Sequence, residues 1–171
     1  DAETDSSGNI YVCGGNGGIV IAAKYNSSCT LQWHKFIEDS SYSLNNSYDI
    51  ALDSSGNIYG VGFTNIPNVG NSIFCFKLNS SGAMQWSRLV DHPTNRTEEA
   101  FGIVVNGDDD IFVIGESYAY GSGSDLVGIL IKINSSGTLQ FTRTLGPASG
   151  STYSRFLKGH FDGNGNLLLA G

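Results

Sequence analysis

Two short motifs alternate along the chain, and this internal repetition constrains the fold more than any other feature. The first reads DSSGNIYVCG (5–14), DSSGNIYGVG (53–62), NGDDDIFVIG (106–115) and DGNGNLLLAG (162–171). The second reads AKYNSSCTLQW (23–33), FKLNSSGAMQW (76–86) and IKINSSGTLQF (131–141). Spacings within the first series are 48, 53 and 56 residues, so the 171-residue chain holds a little more than three units of about 50 residues. A unit of that size cannot bury its apolar face alone; neighbours must stack to enclose a shared core.

Each unit reads as four short strands. In the second unit these are YDIALD (48–53), NIYGVG (57–62), SIFCFKLN (72–79) and AMQWSRLV (83–90). The turns between strands one and two, and between three and four, carry their own chemistry. Asp53 or Asn79 can accept a backbone N–H two residues on, and Gly56 or Gly82 supplies a positive φ. The middle strands are almost continuously apolar, as expected of strands covered on both faces. Strand four alternates (Leu31-Gln32-Trp33-His34, Met84-Gln85-Trp86-Ser87, Leu139-Gln140-Phe141-Thr142), which marks an outer, half-exposed strand. The expected class is all-β, an antiparallel meander. Gly, Ser and Asn make up 60 of the 171 residues and charged residues only 15%, which excludes coiled coils and helical bundles. Regularly recurring aromatic and β-branched residues exclude disorder.

The D-S-S-G-N-I-Y-V-x-G and K-x-N-S-S-G-T-L-Q-W signatures resemble the bacterial β-propeller repeat, found in secreted bacterial proteins and in structural proteins of marine bacteriophages. The resemblance implies a β-propeller of four-stranded antiparallel blades. About three and a quarter blades are expected here, from a count of thirteen strands. One propeller segment spans 1–171, with repeat units at about 1–47, 48–98, 99–152 and 153–171. A closed propeller has four to eight blades. The sequence is therefore expected to be a segment of a longer chain, with no signal peptide visible, or else to be completed by other copies or left as an open arc.

The formal charge is −7 and the nine Lys and Arg residues are scattered, which argues against nucleic acid or an anionic membrane as partner. No stretch approaches the ~20 apolar residues of a membrane helix. Three cysteines, Cys13, Cys29 and Cys75, leave at least one unpaired. Cys13 and Cys75 sit in apolar runs and read as buried thiols; Cys29 stands where equivalent turns carry Gly and reads as exposed. DGNGN and NGDDD look like calcium-loop openings, but they align with the plain turns, and neither metal nor cofactor is expected. Of five N-x-S/T sequons, at Asn26, Asn45, Asn79, Asn95 and Asn134, three belong to the repeated turn.

The resemblance further implies that the strand-four-to-one and strand-two-to-three loops share one face. These loops vary most, at 38–47, 91–98, 146–152, 14–18, 63–71 and 116–128. Binding concentrates in variable loops while uniform turns serve structure. The candidate ligand-binding residues there are Tyr42, Phe63, Glu116, Tyr118, Tyr120 and Asp125: rings to stack on sugar C–H faces and carboxylates to bond hydroxyls. No catalytic constellation of known pattern occurs. His34 lies on an outer strand, His92 in a loop beside Asp91 and His160 just before a turn, and none of them completes a catalytic pattern; Glu38-Asp39 and Glu98-Glu99 are the paired carboxylates. Trp33, Trp86 and Phe141 share one repeat position and are expected to pack blade on blade. The expectation is a non-enzymatic structural or recognition module, a glycan- or protein-binding part of a virion appendage such as a tail fibre or of a secreted adhesive surface protein. It would be extracellular or virion-exposed. The alternatives are part of a propeller glycoside hydrolase or lyase, and a purely structural spacer or capsid decoration.

Overall fold

The computed structural model describes residues 1–16, 18–38, 43–90, 97–118, 126–146 and 153–171. These residues form fourteen strands in four antiparallel sheets. The first sheet is β1 (Ala2–Thr4), β2 (Ile10–Asn16), β3 (Ile19–Tyr25) and β4 (Leu31–Ile37). The second is β5 (Ser43–Leu52), β6 (Ile58–Ile66), β7 (Gly70–Leu78) and β8 (Met84–Val90). The third is β9 (Glu98–Val105), β10 (Ile111–Ser117), β11 (Val127–Ile133) and β12 (Leu139–Leu145). A last hairpin joins β13 (Lys158–Phe161) to β14 (Leu167–Ala170). In each sheet, strands pair in sequence order. The count exceeds the thirteen read from sequence because Ala2–Thr4 pair with Ile10–Val12 as a short first strand.

All seven repeat turns share one geometry. The residue at the first position is Asp5, Asn26, Asp53, Asn79, Asn106, Asn134 or Asp162, and its side-chain Oδ1 accepts the N–H groups two and four residues on, at 2.8–3.2 Å. The fourth position is left-handed in every case. It is Gly8, Gly56, Gly82, Gly137 or Gly165, and elsewhere Cys29 (φ 58°) or Asp109 (φ 60°). This is a type I turn closed by a left-handed residue, the three-residue hairpin loop.

The core lies between sheets rather than within them. Tyr59, Val61, Ile73 and Cys75 of the second sheet meet Ile103, Ile111, Val113, Ile129 and Ile131 of the third. Their neighbours Ile58, Phe74, Phe76 and Leu78 point the other way, against Tyr11, Cys13, Val20 and Ala22 of the first. Covering both faces of one sheet is what requires the unbroken apolar runs of β6 and β7. The outer strands β4, β8 and β12 stay largely exposed.

Tryptophans bind the first sheet to the second and the second to the third. Trp33 Nε1 donates to Ser80 O at 3.3 Å, and Trp86 Nε1 to Ser135 O at 3.2 Å. Each indole lies over the left-handed glycine of the neighbouring turn. A Cβ on Gly82 would stand 2.9 Å from Trp33, and one on Gly137 3.0 Å from Trp86.

The first strands β1, β5, β9 and β13 converge. Four residues before each turn stand Asp1, Asp49, Gly102 and Lys158. Asp49 is buried; its Oδ2 accepts Ile103 N at 2.8 Å and its Oδ1 accepts Lys158 Nζ at 2.6 Å. Lys158 also lies 3.9 Å from Asp1 Oδ2. Gly102 leaves room for this: a Cβ there would meet Leu157 O at 2.9 Å and Lys158 Cα at 3.4 Å. One ionic layer therefore ties strands from all four sheets.

Candidate functional site

Midway along β5 and β9, two equivalent bulges re-aim two aromatic rings. Tyr48 is skipped between the pairs Ser47↔Gly62 and Asp49↔Val61, and Phe101 between Ala100↔Gly115 and Gly102↔Ile114. A bulge turns a side chain out of the regular alternation. Tyr48 stacks on Phe63 with centroids 5.6 Å apart, and lies equally far from Phe101. Arg155 sits over the Phe101 ring at 5.8 Å.

Carboxylates adjoin these rings. Glu116 and Ser117 end β10, directly opposite Glu99 and Glu98 at the start of β9. Glu98 is buried and accepts a hydrogen bond from Ser117 Oγ at 3.1 Å. Glu99 Oε1 accepts Asn71 Nδ2 at 2.5 Å, and Asn65 Nδ2 donates to Asn71 Oδ1 at 2.9 Å. Glu116 is half-buried, and its Oε2 is buried with no partner among the described residues. Burial pushes its carboxyl above the ordinary glutamate range; Arg155 opposes this and Glu99 adds to it.

Three of the six residues proposed from sequence fall in this region. Phe63 is not on a loop: β6 runs through it to Ile66, the tight turn Ile66–Val69 follows, and the ring is half-buried on Tyr48. The expected loop at 14–18 shortens likewise, since β2 extends to Asn16 and β3 starts at Ile19. Glu116 closes β10, and Tyr118, half-buried, donates its backbone N–H to Thr97 O at 3.0 Å. Tyr42, Tyr120 and Asp125 lie outside the described residues, as does His92. Sequence reading missed Tyr48 and Phe101, although each stands five residues before its turn, at Asp53 and Asn106, so aligning the repeats aligns the two rings.

Cys13 and Cys75 are buried and Cys29 is exposed, as expected. Burial pushes the Cys75 thiol up to about 12 and raises that of Cys13, whose Sγ contacts Ser47 Oγ at 3.3 Å. His34 is exposed on β4, edge-on to Phe36. Among the described residues no group of three His, Cys, Asp or Glu side chains is arranged to hold a metal ion. Asn106 and Asp162 spend their side-chain oxygens on turn N–H groups, and Asp110 pairs with Lys132 at 2.7 Å.

Residues 32–68 match the sequence family described as Beta-propeller repeat. The fold is that of a β-propeller, and residues 32–68 carry its repeat. Its four sheets are therefore blades: three of four strands and one represented by its first hairpin. A search of curated proteins finds no match. Among solved structures, the propeller blades resemble a protein of unknown function from Bacteroides caccae, at 12% identity and a TM-score of 0.59. The similarity covers 96% of this chain and 50% of that one, so the blades described here span half the length of that protein. At this identity the likeness concerns the fold alone.

Proposed function

We propose that these blades form a non-enzymatic recognition module that binds a glycan through the long-loop face, as part of a virion appendage or a secreted surface protein. The observation that carries this reading is the ring cluster Phe63–Tyr48–Phe101, with Arg155 over it and the Glu116 and Glu99 carboxylates at the ends of the adjoining strands, between the second and third blades. Stacked rings present apolar faces of the size of a sugar's C–H face, while Glu116, Glu99 and Asn71 supply acceptors and a donor for hydroxyls. The uniform turns at the opposite edge leave the variability on this face. An acidic, Ser- and Asn-rich surface accords with an extracellular setting.

The test is a glycan array, followed by titration of the best hit against Glu116→Gln and Tyr118→Ala. The reading expects a hit weakened about tenfold or more by Glu116→Gln, the size of one charge-assisted hydrogen bond. An array without hits, or hits indifferent to both substitutions, overturns it.

A second reading, glycoside cleavage, is favoured by one observation. Glu116 holds its proton more tightly than an ordinary glutamate and faces Glu99 across the β9–β10 pair. One protonated and one ionised carboxyl is the pairing that glycosidases use. Product analysis of the array hit separates the two: released reducing ends favour cleavage, and an intact ligand favours recognition.

A further inference from the structure

At the turn end of the first strands, the ionic layer gives way to a cavity of about 320 Å³. Its wall takes residues from all four blades, among them Glu3, Thr4, Leu52, Val105, His160 and Phe161. Glu3 and His160 occupy the same register position, two residues before their turns, and the Asp1–Lys158–Asp49 layer lies two residues further back on the same strands. The charged layer thus sits at the inner end of the cavity, and the uniform turns surround its mouth. This is the edge opposite the long-loop cluster, so the inference stands apart from the proposed glycan site.

The wall selects a ligand chemistry. It mixes polar and apolar surface in about equal measure; its polar side chains among the described residues are Glu3, Thr4 and His160, and its apolar ones include Leu52, Val105 and Phe161. An anion would face the Glu3 carboxylate in a chain of net charge −7. A second cavity of about 440 Å³ shares Val105 and Phe161 and adds Asp108 and Asp162. The hydrogen bonds from Asn166 hold the Asp162 carboxyl below the usual range. Lys158, the nearest cation of the inner layer, already has its charge met by Asp49 and Asp1. We infer that this axial cavity binds a compact organic cation, an amine on a hydrocarbon or aromatic body, with Glu3 receiving the ammonium group.

The experiment titrates the protein with phenethylamine, 2-phenylethanol and phenylacetate, following backbone amide shifts. The inference expects phenethylamine to bind most tightly and to shift residues on either side of the first strands' turns. Glu3→Gln should weaken the amine about tenfold while leaving 2-phenylethanol unchanged, the signature of one charge contact. Thr4→Trp, at an exposed position on the wall, should abolish binding of all three by filling the cavity. Preference for phenylacetate, binding indifferent to Glu3→Gln and Thr4→Trp, or no binding by any of the three overturns it. The glycan reading is untouched by each of these outcomes.

Discussion

Lys158 Nζ lies 2.6 Å from Asp49 Oδ1 although 109 residues separate the two in sequence. The pair reaches past the third blade, where the equivalent position is Gly102 and no side chain intervenes. Asp49 is buried, whereas the lysine side chain is 56% exposed. Removing the lysine leaves a buried carboxylate with Ile103 N as its remaining donor. Lys158→Met should therefore destabilise the fold by about 2 kcal/mol, less than the loss for a fully buried pair because water reaches the lysine. Asp49→Asn together with Lys158→Met should recover part of that loss. Denaturant unfolding of the three variants checks both statements.

Repeated ion pairs show a second relationship. In the second blade, Asp53 Oδ2 accepts Asn57 Nδ2 at 2.7 Å and Tyr59 Oη at 3.1 Å, and Lys77 lies over the Tyr59 ring at 4.7 Å. In the third blade, acid and amide exchange places, as Asn106 and Asp110, and the tyrosine becomes Phe112. Lys132 now meets Asp110 directly, at 2.7 Å. The hydroxyl is absent where the acceptor has moved. Tyr59→Phe should cost about 1 kcal/mol, the worth of one buried hydrogen bond. Phe112→Tyr should gain stability only when combined with Asn106→Asp and Asp110→Asn, a coupling that a double-mutant cycle measures.

Two glycines with nearly equal φ separate turn strain from packing. Gly56 and Gly82 have φ of 74° and 79°. A Cβ on Gly56 meets the nearest atom at 3.6 Å, whereas one on Gly82 meets the Trp33 ring at 2.9 Å. Gly56→Ala should cost about 1 kcal/mol for the left-handed backbone alone. Gly82→Ala should cost about 2–3 kcal/mol, since it also lifts the indole off its seat. Thermal melts of the two variants give the comparison.

Glu116 supplies the pH dependence. Its folded-state carboxyl titrates above the unfolded one, chiefly through burial. Between those two values the folded state binds the extra proton, so stability falls as pH rises through the window. Above the window both states are ionised and the folded state carries the whole burial penalty; below the ordinary glutamate value both are protonated and the penalty vanishes. Glu116→Gln should therefore exceed the native protein in stability at neutral pH and converge with it in acid. Urea midpoints at pH 4 and pH 7 would show it.

Much of the fold was legible because each turn writes its geometry locally. Asp53 or Asn79 at the first position and Gly56 or Gly82 at the fourth define the hairpin without tertiary information. Blade-on-blade packing was visible in the shared position of Trp33 and Trp86; Phe141, at the same repeat position, instead meets Phe112 of its own blade, and among the described residues no side chain lies over Gly165. The site was less so. The bulges that turn Tyr48 toward Phe63 and Phe101 come from strand pairing, which no local pattern encodes. Phe63 read as a loop residue because glycine, asparagine and proline follow it, yet β6 and β7 continue their ladder to a turn at Ile66–Val69. The ionic layer was hidden for a related reason: Asp1, Asp49 and Lys158 share a register position, but only convergence of the first strands brings them together.

Cys29 occupies the left-handed corner of the first blade's outer turn and is exposed, while Cys13 and Cys75 are shut in the cores between blades with thiols that resist ionisation. The thiolate is the form that alkylates. A maleimide dye added to the native protein should thus label one residue, at the outer rim and away from both the long-loop cluster and the axial cavity. Nature has placed there a ready attachment point for fluorescence or surface immobilisation, leaving both candidate sites free to meet their ligands.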